Sequence, residues 1–305
     1  MLTRAQRQID ADFPNLGIRD LRVIGRGPVF TVIRGTATGG ENVGVRIAPE
    51  HWTEAAGRHP VNAHDLLAQE CLMSTHCRVH GLPAPKIIGQ SHRNDQENGL
   101  DLFVYEWLED DGAPPEPYHM GDVLHRLHTI NPPAFEPVAM RGSTLEKVLA
   151  HRILEAAGTI TRLTNRPLDM PKIENLQAHL SWPDKRTSLL HMDFQPASLH
   201  ATGGLHAAGG RISGIMGWCE ALIGPPTLEL VRLDELDILD DSFLGGYANY
   251  EMYTAPKPVE AAFRMDTAVR RAEALLHEQP SSADARKAVN RVAFLFDEFA
   301  RLSNP

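Results

Sequence analysis

The chain has 305 residues, of which 42% are hydrophobic and 23% charged, with a formal net charge of −9. That length can bury a sizeable core, and the mixture is that of a globular protein. The acidic balance argues against nucleic acid as a partner, because non-specific binding needs a basic footprint; a cationic small molecule or basic peptide remains admissible.

Cys71, Cys77 and Cys219 include no C-x-x-C pair. A zinc ribbon and a disulfide framework are therefore not expected, and a reducing cytoplasm is the compartment that fits. No apolar h-region follows Met1, and no apolar run approaches a bilayer span, so neither a signal peptide nor a membrane segment is expected.

Taken in chain order, Thr3 to Phe13 reads as a short amphipathic helix with Thr3 at its N-cap and Pro14 ending it. Strands are expected at Leu21–Ile24, Val29–Arg34 and Asn42–Ile47, with Gly25-Arg26-Gly27-Pro28 turning between the first two. A helix follows from Val61 to Val79, stopped by Gly81 and Pro83. Pro85–Gly89 and Leu100–Trp107 supply two more strands. The order predicts an α+β lobe with an antiparallel sheet.

Glu109-Asp110-Asp111-Gly112-Ala113-Pro114-Pro115 is acidic and then rich in Gly and Pro, and reads as a linker. Beyond it helices are expected at Gly121–Ile130, Thr144–Thr164, Thr227–Tyr250, Val259–Glu278 and Ser282–Leu302. Residues Leu189 to Trp218 interrupt them as a hairpin region, turning at Ala207-Ala208-Gly209-Gly210. This places a smaller lobe at 1–108 and a larger helical lobe at 109–305.

Some candidate residues read two ways. Gly25 and Gly27 could bring backbone N–H groups to phosphate oxygens, or form a plain hairpin turn with Pro28 removing a donor. His125 and His128 lie i, i+3 on one helix, a spacing that can bind metal, although packing is the preferred reading. The acids from Asp234 to Asp241 could meet a cationic substrate, but read first as a solvated helix face.

The segment Leu189-Leu190-His191-Met192-Asp193-Phe194-Gln195-Pro196-Ala197-Ser198, followed by Arg211-Ile212-Ser213-Gly214-Ile215-Met216-Gly217-Trp218, carries the most information. The pair resembles the catalytic loop and metal-binding strand of the aminoglycoside phosphotransferase and choline kinase-like family, written H-G-D-x-x-x-x-N, a hairpin, then I-D-W. Gly81-Leu82-Pro83-Ala84-Pro85-Lys86-Ile87-Ile88-Gly89 is similar to the family's G-L-P-V-P-x-V-L-G, and Phe243-Leu244-Gly245-Gly246-Tyr247 to its F-L-x-G-Y. The likeness runs from about Leu21 to Tyr250.

It implies a two-lobed protein kinase-like fold, with a nucleotide cleft between lobes, and ATP-dependent phosphoryl transfer to a hydroxyl of a small molecule or peptide. In that reading Asp193 is the base, and His191 shapes the loop. Arg46 orients phosphates and pairs with Glu70, and Glu106 and Trp107 form the hinge that binds adenine. Mg²⁺ falls to Ser198, with Glu220 as a substitute ligand. The chain departs from the family text where it matters most for metal: Ser198 replaces the Asn and Gly217 the second Asp. Pro225 replaces the Asp of G-D-P, while Glu229 keeps an acidic position in the next helix. The alternative reading is a pseudokinase or a repurposed cleft that binds a nucleotide, peptide or metabolite without transfer, because metals normally neutralise the developing charge.

Overall fold

The computed structural model describes residues 1–27, 29–48, 52–53, 61–92, 99–110, 112–182, 186–202, 210–250 and 253–303. Pro28, Asp111 and Ala207 to Gly209, which figure in the turn and linker expectations, lie outside these described residues.

The chain forms two compact units, one of Met1–Arg126 with Asp193–Glu220, the other of Leu127–Met192 with Ala221–Pro305. In the first, α1 (Leu2–Asp12) precedes β1 (Arg19–Arg26), β2 (Thr31–Thr36) and β3 (Asn42–Ala48). Two-residue strands β4 (Trp52–Thr53) and β5 (Val61–Asn62) pair ahead of α2 (Ala63–Val79), β6 (Ile87–Ser91) and β7 (Asp101–Glu106). The main sheet has the order β1-β2-β3-β7-β6 and is antiparallel throughout. Alternation in β2 and β3 turns Ile33, Val43, Val45 and Ile47 to one face, where they bury with Leu102 and Val104 of β7 and with Ala5 and Ile9 of α1. Each such side chain taken from water contributes about 1.5–3 kcal/mol. A hairpin of β9 (Leu199–Thr202) and β10 (Arg211–Ile215) belongs to the same unit. Ile215 N–H donates to Pro83 O at 2.9 Å. Gly214 lets Leu108 lie close, since an added Cβ would come 2.2 Å from its Cδ1.

A further helix, α3, spans Pro117–Thr129. The second unit contains α4 (Leu145–Thr164), α5 (Ile173–Leu180), β8 (Ser188–Leu190), β11 (Leu222–Gly224), α6 (Pro226–Glu235), α7 (Asp241–Gly246), α8 (Lys257–Glu278) and α9 (Ala283–Ser303). Helix α9 buries Ala285, Ala288, Val289, Val292, Leu295, Phe296 and Phe299, the spacing of one helical stripe, in a core shared with α4 and α8. Inside it Arg152 of α4 forks onto both carboxylate oxygens of Asp266 of α8. Among the described residues no helix is long and apolar enough to cross a membrane.

Several element expectations are corrected. Thr3 lies inside α1, whose N-cap position is Met1, and Pro14 opens a short 3-10 turn. Strand β1 runs on to Arg26, with Gly25 opposite Val32, so Gly25 and Arg26 of the expected turn are strand. Helix α2 starts two residues later than expected because Asn62 caps it, accepting the His64 N–H at 2.9 Å. The helix expected over Thr227–Tyr250 is two helices. Asp237 adopts a left-handed φ of 58° after α6, and Asp240 Oδ1 caps α7 by accepting Phe243 N–H. Helix α5 has no counterpart among the expectations.

Candidate active site

Asp193 follows a bend made by Met192, whose φ is +62° although it is not glycine. Met192 stands where the resembled text has Gly, and left-handed backbone costs an L-residue about 1–2 kcal/mol. The residues before Asp193 are held within the second unit. Glu229, fully buried on α6, accepts the N–H of His191 at 3.0 Å through Oε2 and of Met192 at 2.6 Å through Oε1. The same carboxylate meets Nε2 of buried His128 at 3.0 Å, and His128 Nδ1 lies 2.7 Å from the Tyr247 hydroxyl. An ionised carboxylate only accepts, so His128 carries a proton on Nε2. Burial acts to raise the Glu229 carboxyl, but the His128 hydrogen bond, the charges of His128 and His191 and the Met192 N–H together hold it below the ordinary value. His128 is thus a hydrogen-bonding strut.

Within the first unit, both oxygens of Asp193 receive donors from its own loop. The Gln195 amide donates to Oδ1 at 2.8 Å and the Ser198 hydroxyl to Oδ2 at 2.9 Å. The two donors fix the orientation of the carboxylate. Gln195 carried no signal as a site residue before its contact was visible.

Gly217 lies beside this loop. Its φ is +91°, and a Cβ built on it would meet the Ser198 Oγ at 3.9 Å. Its N–H points to Glu70 Oε1 at 2.8 Å, and the Trp218 N–H to Glu70 Oε2 at 2.7 Å. Gln69, next to Glu70 on α2, donates to the Trp218 carbonyl at 2.5 Å. The buried Glu70 also pairs with Arg46 Nη1 on β3 at 2.8 Å. The Arg46 guanidinium lies over the Phe30 ring, 5.4 Å from its centre. Its Nε and Nη1 are buried, and with no hydrogen bond of ordinary angle at either, the Glu70 contact at Nη1 is ionic.

The remaining expected residues fall as follows. Gly27 N–H donates to Phe30 O at 2.8 Å, closing the β1–β2 connection and occupying one donor of the phosphate-loop reading. Glu106 ends β7; its N–H is bonded to Lys86 O at 2.9 Å, so that donor is not open to a base. Trp107 carries the Arg34 guanidinium over its ring at 5.3 Å. Glu220 lies in the 3-10 turn Trp218–Glu220.

Magnesium needs several oxygen donors in a near-octahedral array. Here Ser198 and Asp193 are bonded to each other, and Gly217 offers no side chain. Among the described residues, the one cluster of three His, Cys, Asp or Glu side chains close enough to share an ion includes neither Asp193 nor Glu220. The set does not fit the side-chain metal site that the resemblance implied for Ser198 and Glu220.

Of the acids from Asp234 to Asp241, Asp234, Asp237, Asp240 and Asp241 are exposed, as a solvated face requires, yet several also have partners. Asp234 accepts from Arg264 at 2.5 Å, and Glu235 from Arg291 at 2.7 Å and 2.8 Å. They line a cavity of about 460 Å³ in the second unit, whose walls hold four acidic and four basic residues.

The antiparallel N-terminal sheet and mainly helical remainder define a kinase-like phosphotransferase fold. Residues 20–261 match the model of the APH phosphotransferase enzyme family, and the chain belongs to that family. No curated protein matches it. Among solved structures it is similar to the macrolide 2'-phosphotransferase MphH from Brachybacterium faecium, at 16% identity over 94% of this chain and 97% of that one, TM-score 0.55. The GDP complex of aminoglycoside 2'-phosphotransferase-IIIa matches at 13% identity over 97% and 98%, TM-score 0.57. A thermostable mutant of aminoglycoside phosphotransferase APH(4)-Ia, solved as a ternary complex with AMP-PNP and hygromycin B, matches at 14% identity over 99% of both chains, TM-score 0.53.

Proposed function

We propose that the chain is an ATP-dependent O-phosphotransferase acting on a hydroxyl of a small molecule, with Asp193 as base. The observation that carries this reading is the pair of donors, Gln195 and Ser198, that aim the Asp193 carboxylate. Family membership and neighbours solved with AMP-PNP and GDP support it.

Bound ATP supplies the γ-phosphoryl group. Asp193 takes the proton of the acceptor hydroxyl as its oxygen bonds to phosphorus, and ADP leaves with the electrons of the broken P–O bond. Arg46, oriented by Glu70, supplies the positive charge that holds phosphate oxygens. Gly217 offers no carboxylate to hold a metal ion, so the positive charge that a metal would bring to the transferring phosphoryl group lacks that anchor. Removing one preorganised electrostatic group costs about 10²–10³ in rate, so slow turnover is expected. The balanced charges of the 460 Å³ cavity do not favour a cationic acceptor there.

A second reading, nucleotide or metabolite binding without transfer, is favoured by one observation. The N–H groups of Gly217 and Trp218 are turned onto Glu70, which leaves the former metal strand tied to α2.

A thermal-shift titration with ATP, with and without Mg²⁺, followed by ADP detection across a panel of hydroxylated acceptors, separates the readings. Ligand at 100 times its dissociation constant stabilises by about 2.7 kcal/mol. A shift with acceptor-dependent ADP that Asp193→Asn abolishes supports transfer. A shift that yields no ADP with any acceptor supports binding alone. No shift at millimolar ATP rejects both nucleotide readings.

A further inference from the structure

The first unit holds a second cluster of metal-ligating side chains, separate from Asp193 and Glu70. His64 lies in the first turn of α2, His92 directly after β6, and Asp101 opens β7. Ser91 is paired with Leu102 across the β6–β7 ladder, so the next step of that register sets His92 opposite Asp101. Helix α2 brings His64 over the same end of the strands: its Nδ1 lies 3.2 Å from Asp101 Oδ1, and its ring stands 4.3 Å from that of His92, edge to face. One ligand atom from each of the three lies within 4.8 Å of the others. Asp101 is buried, His64 partly buried and His92 exposed, so the cluster opens to solvent on the His92 side.

We infer that His64, His92 and Asp101 form a binding site for a divalent transition-metal ion of the zinc class. Two imidazoles and one carboxylate leave positions for water, and this donor set suits zinc and its neighbours over magnesium or calcium, which take all-oxygen sites. Metal–nitrogen bonds of about 2.0–2.1 Å require donors roughly 3–3.5 Å apart. His64 and Asp101 already have that spacing, and rotation of the exposed His92 ring brings in the third. The ion would pin the N-terminus of α2, the helix that presents Glu70 to Arg46. It would act by ordering that helix, without touching a nucleotide.

The test titrates the full-length chain with ZnCl₂ alone by calorimetry, and records the visible spectrum with Co²⁺. The expected result is one strong site per chain, with a visible cobalt band of four-coordinate intensity. His92→Ala, at an exposed position, should weaken that site at least about tenfold, since losing even a supporting group around a metal typically costs 10–100-fold. Asp101→Asn should do the same. His277→Ala, on an exposed part of α8, serves as control for the 15 histidines of the chain. Unchanged zinc affinity in His92→Ala places the metal elsewhere and overturns the site. Absence of binding at millimolar zinc reduces the cluster to a hydrogen-bonded His64–Asp101 pair.

Discussion

The hydroxyl of Ser198 donates to Oδ2 of Asp193 at 2.9 Å. The residue in the expected metal-binding position is therefore spent on orienting the base. Ser198→Ala removes one of two donors, and Asp193→Asn removes the base itself. General base catalysis contributes about 10²–10⁴-fold. Asp193→Asn should thus cost at least about 100-fold in kcat, and Ser198→Ala distinctly less. Equal losses measured by single-turnover kinetics would contradict this division of roles.

Restoring the resembled text by Gly217→Asp with Ser198→Asn is not neutral in this backbone. Space is open at Gly217, but its φ of +91° is strained for any side chain. The double variant should lose about 1–3 kcal/mol in urea denaturation. A gain in ATP turnover despite that loss would show that only the metal carboxylate limits transfer. Unchanged stability would contradict the strained conformation.

Glu70 joins Arg46, Gly217 and Trp218 in one buried cluster. Glu70→Ala strands a largely buried guanidinium and two backbone N–H groups. Breaking a buried pair from one side costs about 3–5 kcal/mol. Equilibrium unfolding should show a loss of that order, and nucleotide affinity should fall because Arg46 loses its orientation. A loss under 1 kcal/mol would mean that Glu70 is not a structural hub.

Glu229 has a depressed folded pKa. Its contribution is present above the ordinary carboxylate value of 4.5 and is lost as pH falls through the lower folded value. Tm should therefore drop on acidification below about pH 4.5. In Glu229→Gln the protein should be less stable at pH 7, and that part of the acid limb should flatten. An identical acid limb in the variant would remove Glu229 from the account.

Burial pushes the Cys77 thiol up to about 12, with Glu70 adding to the rise, and pushes Cys71 and Cys219 higher still. Thiolate is the reactive form. The folded chain should resist iodoacetamide at pH 8 and react fully in urea. Rapid alkylation of Cys71 or Cys77 in the folded state would contradict the burial, whereas Cys219 is only partly buried.

What the sequence by itself determined was the family and the order of most elements, with α5 missed and α6 and α7 read as one helix. Strand alternation, the Gly81–Pro83 stop and the spacing from His191 to Trp218 are local patterns, and local patterns survive in one dimension. The Arg46–Glu70 pair was also expected, through the family resemblance of β3 and α2 and not from either pattern alone. Other features came from residues far apart in the chain, and only the tertiary structure decided them. Glu229 proved to be the acceptor for two N–H groups preceding Asp193. Asp234 and Glu235 became ion-paired and Asp240 a helix cap. Ser198 turned toward Asp193, and Gly217 toward Glu70. Whether a hydroxyl points to a metal or to a carboxylate depends on which lone pair lies within about 3 Å. No spacing along the chain encodes that distance.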